Sequence, residues 1–243
     1  MSVLQPKAVT ALAARTLLSA AETPSAAAAL IAFYLLNGLL FSLPLFLGGQ
    51  ASVRGLLDAG PLLLALLAPA LTMGLLAEEL RTGTFETLAT SPLEDWDIVL
   101  GKYLGFSALM ALLVAGLLYF PVAVSLIAAP PGLDWGASLG VLLALFLQSL
   151  LFGAAGLFAS SLTRSQAAAF LVSFSLCFAL LACGRLSPVL PGTLGALARF
   201  AGVESHADAL ARGVVDTRDL VYFATGTAAF LFLAVQRLEA RRR

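Results

Sequence analysis

Charged side chains are so sparse along this chain that they divide it into long apolar stretches. Six stretches hold no Asp, Glu, Lys or Arg. They comprise 31 residues between Glu22 and Arg54, 19 between Asp58 and Glu78, 31 between Lys102 and Asp134, 29 between Asp134 and Arg164, 20 between Arg164 and Arg185, and 17 between Asp219 and Arg237. A helix rises ~1.5 Å per residue, so about 20 apolar residues cross the hydrocarbon of a bilayer. All six stretches qualify, the last one narrowly. Helices also satisfy every backbone donor and acceptor internally, as hydrocarbon demands. The pattern therefore predicts an all-α, polytopic membrane protein with six transmembrane helices near 25–48, 60–77, 103–128, 136–161, 167–184 and 220–236. Residues 1–243 then form a single transmembrane domain. The apolar block from Ala26 to Leu47 is 22 residues long, beyond the roughly 7–15 of a secretory signal core, so it reads as a span.

Composition supports the same class. Hydrophobic residues make up 60% of the chain and charged residues 12%, about half the charged share of a soluble domain. The formal net charge is zero, which leaves no basic surface for nucleic acid. The cations are unevenly placed. With an internal N-terminus, Lys7, Arg15, Arg81, Lys102, Arg164, Arg237, Arg241, Arg242 and Arg243 fall on the cytoplasmic side, against Arg54, Arg185, Arg199, Arg212 and Arg218 outside. Lys and Arg concentrate in cytoplasmic segments, so both termini are expected in the cytoplasm.

Residues 78–102 form a crowded polar segment between the second and third spans. Six of the 14 acidic residues fall there: Glu78, Glu79, Glu86, Glu94, Asp95 and Asp97. Gly83 suits a tight turn after the second span. Thr84 to Thr90 fits a short helix with Phe85, Leu88 and Ala89 on one face and Glu86, Thr87 and Thr90 on the other. Ser91 and Glu94 have capping-box spacing, with Pro92 at the first helical position. Glu94, Asp95 and Asp97 then sit at the positive end of the helix dipole. Trp96 and Tyr103 suit the membrane interface, with Lys102 between them. The pattern fits a solvated loop with a capped helix start. It fits equally a transverse helix that offers Phe85 and Leu88 to a cytoplasmic partner.

Elsewhere, Val3 to Ser19 fits a weakly amphipathic surface helix that Pro24 ends, or an Ala-rich leader without a role of its own. Pro69 and Pro121 are expected to kink the second and third spans. The short turn Thr163-Arg164-Ser165-Gln166 makes the fourth and fifth spans antiparallel neighbours. Residues 185–219, the outer segment, read as short helices dipping into the outer leaflet.

Two blocks carry a family resemblance. Pro69 to Met73, Glu78-Glu79, Arg81, Gly83-Thr84, Glu86, Thr90-Ser91-Pro92, Trp96 and Ile98 to Lys102 resemble the permease subunits of type-two ABC exporters. The similarity points in particular to the subgroup with gliding-motility and nitrous-oxide-accessory permeases. The second block is His206, Arg212 to Asp216, and Arg218 to Phe223. The resemblance implies that Glu78, Glu79, Arg81, Gly83, Thr84, Phe85, Glu86, Leu88, Ser91 and Pro92 form a coupling interface with a separate ATPase subunit. It implies an ABC ATP-binding subunit and a second permease copy or paralogue as partners, in the lipids of the bacterial cytoplasmic membrane. ATP and Mg would then belong to the ATPase, and this chain would carry no cofactor and no catalytic chemistry. The sequence agrees in lacking G-x-x-x-x-G-K-[ST], since Gly101-Lys102 is followed by Tyr103. It departs from the family at Arg15-Thr16, where an Arg-Glu pair is common in the surface helix.

Other constellations are weaker. Gly136-Ala137-Ser138-Leu139-Gly140 matches the nucleophile elbow G-x-S-x-G, but it begins a span where the elbow needs a strand-to-helix turn. Gly101-x-x-x-Gly105 and Gly136-x-x-x-Gly140 have the spacing that lets helices approach closely. His206, the only histidine, reads as a polar loop residue, since no Cys or His cluster surrounds it. Cys177 and Cys183 lie on different faces of one helix and imply neither disulfide nor metal. Gln148 is expected to face other helices. Besides a permease, an ion-coupled carrier and a membrane-embedded hydrolase using Ser138 and His206 are the competing classes. The charge-free spans count against the carrier.

Overall fold

The computed structural model describes residues 6–48, 52–84, 94–128, 130 and 132–242. Among them the regular elements are all α-helices: α1 (Pro6–Glu22), α2 (Pro24–Gly48), α3 (Gly55–Thr72), α4 (Gly74–Thr82), α5 (Asp95–Leu117), α6 (Tyr119–Ile127), α7 (Trp135–Leu162), α8 (Gln166–Leu186), α9 (Gly192–Ala201), α10 (Val203–Ala211) and α11 (Thr217–Arg242). Six helical stretches are long and apolar enough to cross a membrane: α2, α3 with α4, α5 with α6, α7, α8 and α11. The second stretch begins at Gly55 and runs to Thr82, so Glu78, Glu79 and Arg81 occupy the last turns of a helix. Charge at a helix end reaches the aqueous boundary without interrupting the backbone ladder.

The two proline expectations come out differently. The third span breaks at Leu118, one turn before Pro121, between α5 and α6. That is where a ring without an N–H clashes with the preceding turn. The second span breaks instead at Met73, one turn past Pro69, between α3 and α4. There a side chain enters the helical ladder. Ser160 Oγ of α7 accepts from the N–H groups of Leu76 and Ala77, at 3.1 and 2.9 Å, and lies 2.9 Å from the Met73 carbonyl it donates to. Insertion of a polar group into the i to i−4 ladder is a recognised cause of a kink.

α7 is the axis of the bundle and packs on α3, α5, α8, α10 and α11. Small residues make this possible. A Cβ on Gly153 would meet the Phe106 ring, and one on Gly156 would meet Thr72 Oγ1, both far inside contact distance. The core around α7 holds Leu56, Leu64, Met110, Leu117, Leu145 and Phe152, all essentially inaccessible. α2 instead leaves Ile31, Leu35, Leu39 and Leu43 exposed, as suits a helix bordered by lipid tails. Gln148 is buried on α7. Cys177 is buried and Cys183 half-buried, and both are free.

The first Gly-x-x-x-Gly spacing admits a flanking helix at both glycines, and the second does so at Gly140. On α5, Gly101 and Gly105 face α1: a Cβ on Gly101 would lie 2.9 Å from Leu12, and one on Gly105 2.6 Å from the Ala13 carbonyl oxygen. On α7, a Cβ on Gly140 would lie 1.9 Å from the carbonyl oxygen of Leu210 in α10. α1 thus lies along α5 as a helix in its own right, three residues longer at its C-terminal end than Val3 to Ser19 suggests.

Candidate functional site

The antiparallel succession of spans gathers one set of charged groups at one end of the bundle. α4 ends there, α5 and α8 begin there, and the end of α7 meets α11 where Arg241 donates to the Leu162 carbonyl at 3.0 Å. Glu78 and Glu79 are adjacent in sequence but face different neighbours. Glu78 accepts from Arg81 Nε at 3.0 Å and from Gln166 Nε2 of α8 at 2.8 Å. Glu79 pairs with Lys102 Nζ of α5 at 2.7 Å. The two carboxylates therefore tie the end of α4 to α8 and to α5.

Lys102 is 5% exposed. An ammonium this enclosed requires a nearby anion, and Glu79 supplies it. Arg81 is open to solvent on the far side of Glu78, with its side chain 63% exposed. Gly83 follows with φ +76° and nothing within 4 Å of a Cβ position, so it ends α4 in the left-handed conformation that glycine adopts freely. Thr82 Oγ lies 2.9 Å from Thr84 Oγ, which carries the chain past the turn.

Of the ten coupling residues expected from sequence, Glu78, Glu79, Arg81, Gly83 and Thr84 therefore lie together at this end. Glu78 and Glu79 hold the protein's own helices, while Arg81, Gly83 and Thr84 are exposed. Phe85, Glu86, Leu88, Ser91 and Pro92 lie outside the described residues, as does most of the helix expected over Thr84 to Thr90.

The capping box needs correction. Glu94 is not the third residue of a helix that starts at Pro92. It has extended dihedrals, φ −84° and ψ 158°, and is itself the N-cap of α5. Its side chain accepts from the backbone of Asp97, and the Asp97 side chain accepts from Glu94 N at 3.2 Å. The box has the expected spacing but begins three residues later, since a carboxylate satisfies the free N–H groups of a first turn as well as a hydroxyl does.

Sequence reasoning missed Ser160, Gln166 and the Lys102–Glu79 pair. Bracketing of Met73 by Pro69 and Gly74 was a local signal for a joint. Nothing local pointed to its partner on α7.

His206 also needs correction. It is not a polar loop residue but a buried residue of α10, 5% exposed. Its Nδ1 lies 2.7 Å from Asp219 Oδ1 and its Nε2 3.1 Å from the Phe200 carbonyl oxygen. Ser138 Oγ donates to the Asp134 carbonyl at 2.6 Å. Both partners of the suggested hydrolase pair are therefore committed elsewhere. Among the described residues no group of three or more His, Cys, Asp or Glu side chains is placed to hold a metal ion.

A comparison with curated proteins finds no match to this chain. A family model described as ABC-2 family transporter protein matches residues 4–234. The match runs from α1 into the last span and takes in Glu78, Glu79 and Lys102. Six apolar helices with the small-residue helix α7 at their centre are the architecture on which it falls: this chain belongs to the ABC-2 transporter family.

Proposed function

We propose that this protein is the membrane-spanning permease subunit of an ABC exporter, powered by ATP hydrolysis in a separate subunit. The observation that carries this reading is the convergence of the family match with the charged end of the bundle. α4 delivers Arg81, Gly83 and Thr84 to the surface, and the segment through Pro92 continues from them. We place the ATPase on this segment, with Phe85 and Leu88 as its apolar contacts. Two permeases and two ATPases make the working unit, in a bacterial cytoplasmic membrane. The matching blocks favour the gliding-motility and nitrous-oxide-accessory subgroup, with substrate export as the direction. ATP and Mg are the partner's ligands, because this sequence has no phosphate loop.

The test has two arms. Expression of the chain with candidate ATP-binding subunits, followed by purification from the membrane, should yield a stoichiometric complex containing a P-loop ATPase. The purified permease alone should bind no nucleotide. Stoichiometric ATP binding by the partner-free chain would overturn the division of labour.

A further inference from the structure

At the end of the bundle opposite the coupling residues, the second matching block forms a compact polar knot. His206 is the only histidine of the chain, and both of its ring nitrogens have partners. Nε2 faces the Phe200 carbonyl oxygen at 3.1 Å. A carbonyl only accepts, so Nε2 carries a proton. Nδ1 faces Asp219 Oδ1 at 2.7 Å. An ionised carboxylate also only accepts, so this contact requires a second ring proton. Neutral imidazole has one N–H to share between two acceptors. The observed pair of contacts is therefore complete only when one further proton is present. His206 is 5% and Asp219 6% exposed, so water reaches the pair only from an adjoining cavity. The ring also stacks on Tyr222, with centroids 4.0 Å apart, and the Tyr222 hydroxyl donates to the Ala201 carbonyl at 2.6 Å.

We propose that His206 and Asp219 form a proton-binding site, held as an imidazolium–carboxylate pair, whose occupancy clamps α9 and α10 onto the first turns of α11. The surrounding charges sharpen this reading. A cavity of about 680 Å³ beside the pair is lined by Arg199 of α9, Arg218 of α11 and Asp216 just before α11. Two cations against one further carboxylate give no local excess of negative charge. The proton is thus held by its direct contact with Asp219, in a geometry where its loss leaves a lone pair facing a carboxylate. The other charged groups of α10 are engaged elsewhere: Glu204 pairs with Arg185 of α8 at 2.7 Å, and Asp208 faces Arg54 at 3.9 Å. On α8, half-buried Cys183 lies within electrostatic reach of Tyr222. Deprotonation therefore releases α10 on its α11 side alone, while the contacts to α8 and the close approach of Gly140 to Leu210 hold its other side. The clamp then opens as a hinge into the adjoining cavity.

Because the chain has one histidine, ring ¹⁵N labelling reports this site without assignment, provided that purification uses a histidine-free tag. The experiment uses the full chain in lipid nanodiscs, titrated from about pH 6 to about pH 9, with amide hydrogen exchange of residues 200–211 followed in parallel. The expected result is two protonated ring nitrogens at the acid end and loss of the Nδ1 proton as pH rises. At the same midpoint, protection of residues 200–211 should fall by about tenfold or more beyond intrinsic exchange, the scale of one lost charge-assisted hydrogen bond. In Asp219→Asn the amide can donate to a neutral ring, so protection should show no step at the ring's transition. An Nδ1 without a proton throughout the range would overturn the proposal. So would protection that stays level through the transition of the unmodified protein. Neither reading depends on the variant folding or on the identity of the ATPase.

Discussion

At the residue scale, the most consequential interaction of the candidate coupling end is the Lys102–Glu79 pair. Lys102 is 5% exposed and its ammonium lies 2.7 Å from Glu79, whose side chain is 24% exposed. Such a pair adds little over an apolar isostere, but removing one partner leaves the other charge in a poor environment. Lys102→Met is expected to destabilise the protein by about 1–3 kcal/mol, toward the lower end because Glu79 retains some access to water. Lys102→Met combined with Glu79→Leu should cost clearly less than the sum of the single changes. Thermal unfolding of the four proteins in one detergent measures this cycle, and additive effects would show that the two side chains are not coupled. Glu78 serves a similar end through Arg81 and Gln166. The local acidic excess is thus partly a set of internal ties, with Arg81, Gly83 and Thr84 exposed beyond them.

At the element scale, the joint between α3 and α4 ties the charged end of α4 to the bundle axis. Ser160 lies on α7 and is wholly buried, and it satisfies two N–H groups and one carbonyl where the helix breaks. Ser160→Ala leaves those groups without partners and should cost about 1–3 kcal/mol, while Ser160→Thr should restore part of it. An unchanged unfolding temperature in Ser160→Ala would mean that the break closes into regular helix without the hydroxyl. Transport should fall with the joint intact elsewhere, because the end of α4 is oriented by it. The segment beyond Gly83 carries a different prediction. If Phe85 docks into the ATPase, Phe85→Asp should preserve expression and membrane integration while weakening ATPase association and abolishing transport. Retention of both association and transport would identify the segment as a solvated loop. Loss of the protein from the membrane would place Phe85 against its own spans.

At the scale of the whole molecule, the two ends of the bundle have different chemistry. One collects Glu78, Glu79, Arg81, Lys102 and Arg241. The other collects the His206–Asp219 pair together with Arg185–Glu204 and Arg54–Asp208. The distribution of Lys and Arg predicts a cytoplasmic location for the first end. Reporter fusions at Arg243 and just after Asp134 should report the cytoplasm and the outside respectively. An external signal from the Arg243 fusion would exclude this orientation. The His206–Asp219 pair and the Glu78–Lys102 end thus lie toward opposite ends of α7 and α11. The axis α7, with glycines at 140, 153 and 156 in contact with three different neighbours, is the element through which both ends are joined.

The sequence by itself determined the number of apolar helices, the turn at Gly83 and the concentration of charge between the second and third spans. Each of these follows from local physics: the cost of burying charge in hydrocarbon, the freedom of glycine, and the rise of a helix. It also held the two Gly-x-x-x-Gly spacings, though not which helices would fill them. Tertiary structure alone decided that α1 fills the first and α10 the second, and that the break of the second span falls at Met73 instead of Pro69. It alone brought His206 to Asp219, 13 residues away, and Lys102 to Glu79, 23 residues away. Those pairings depend on the rotation and register of packed helices, which a pattern of apolar and polar positions leaves undetermined wherever every face of a helix is apolar.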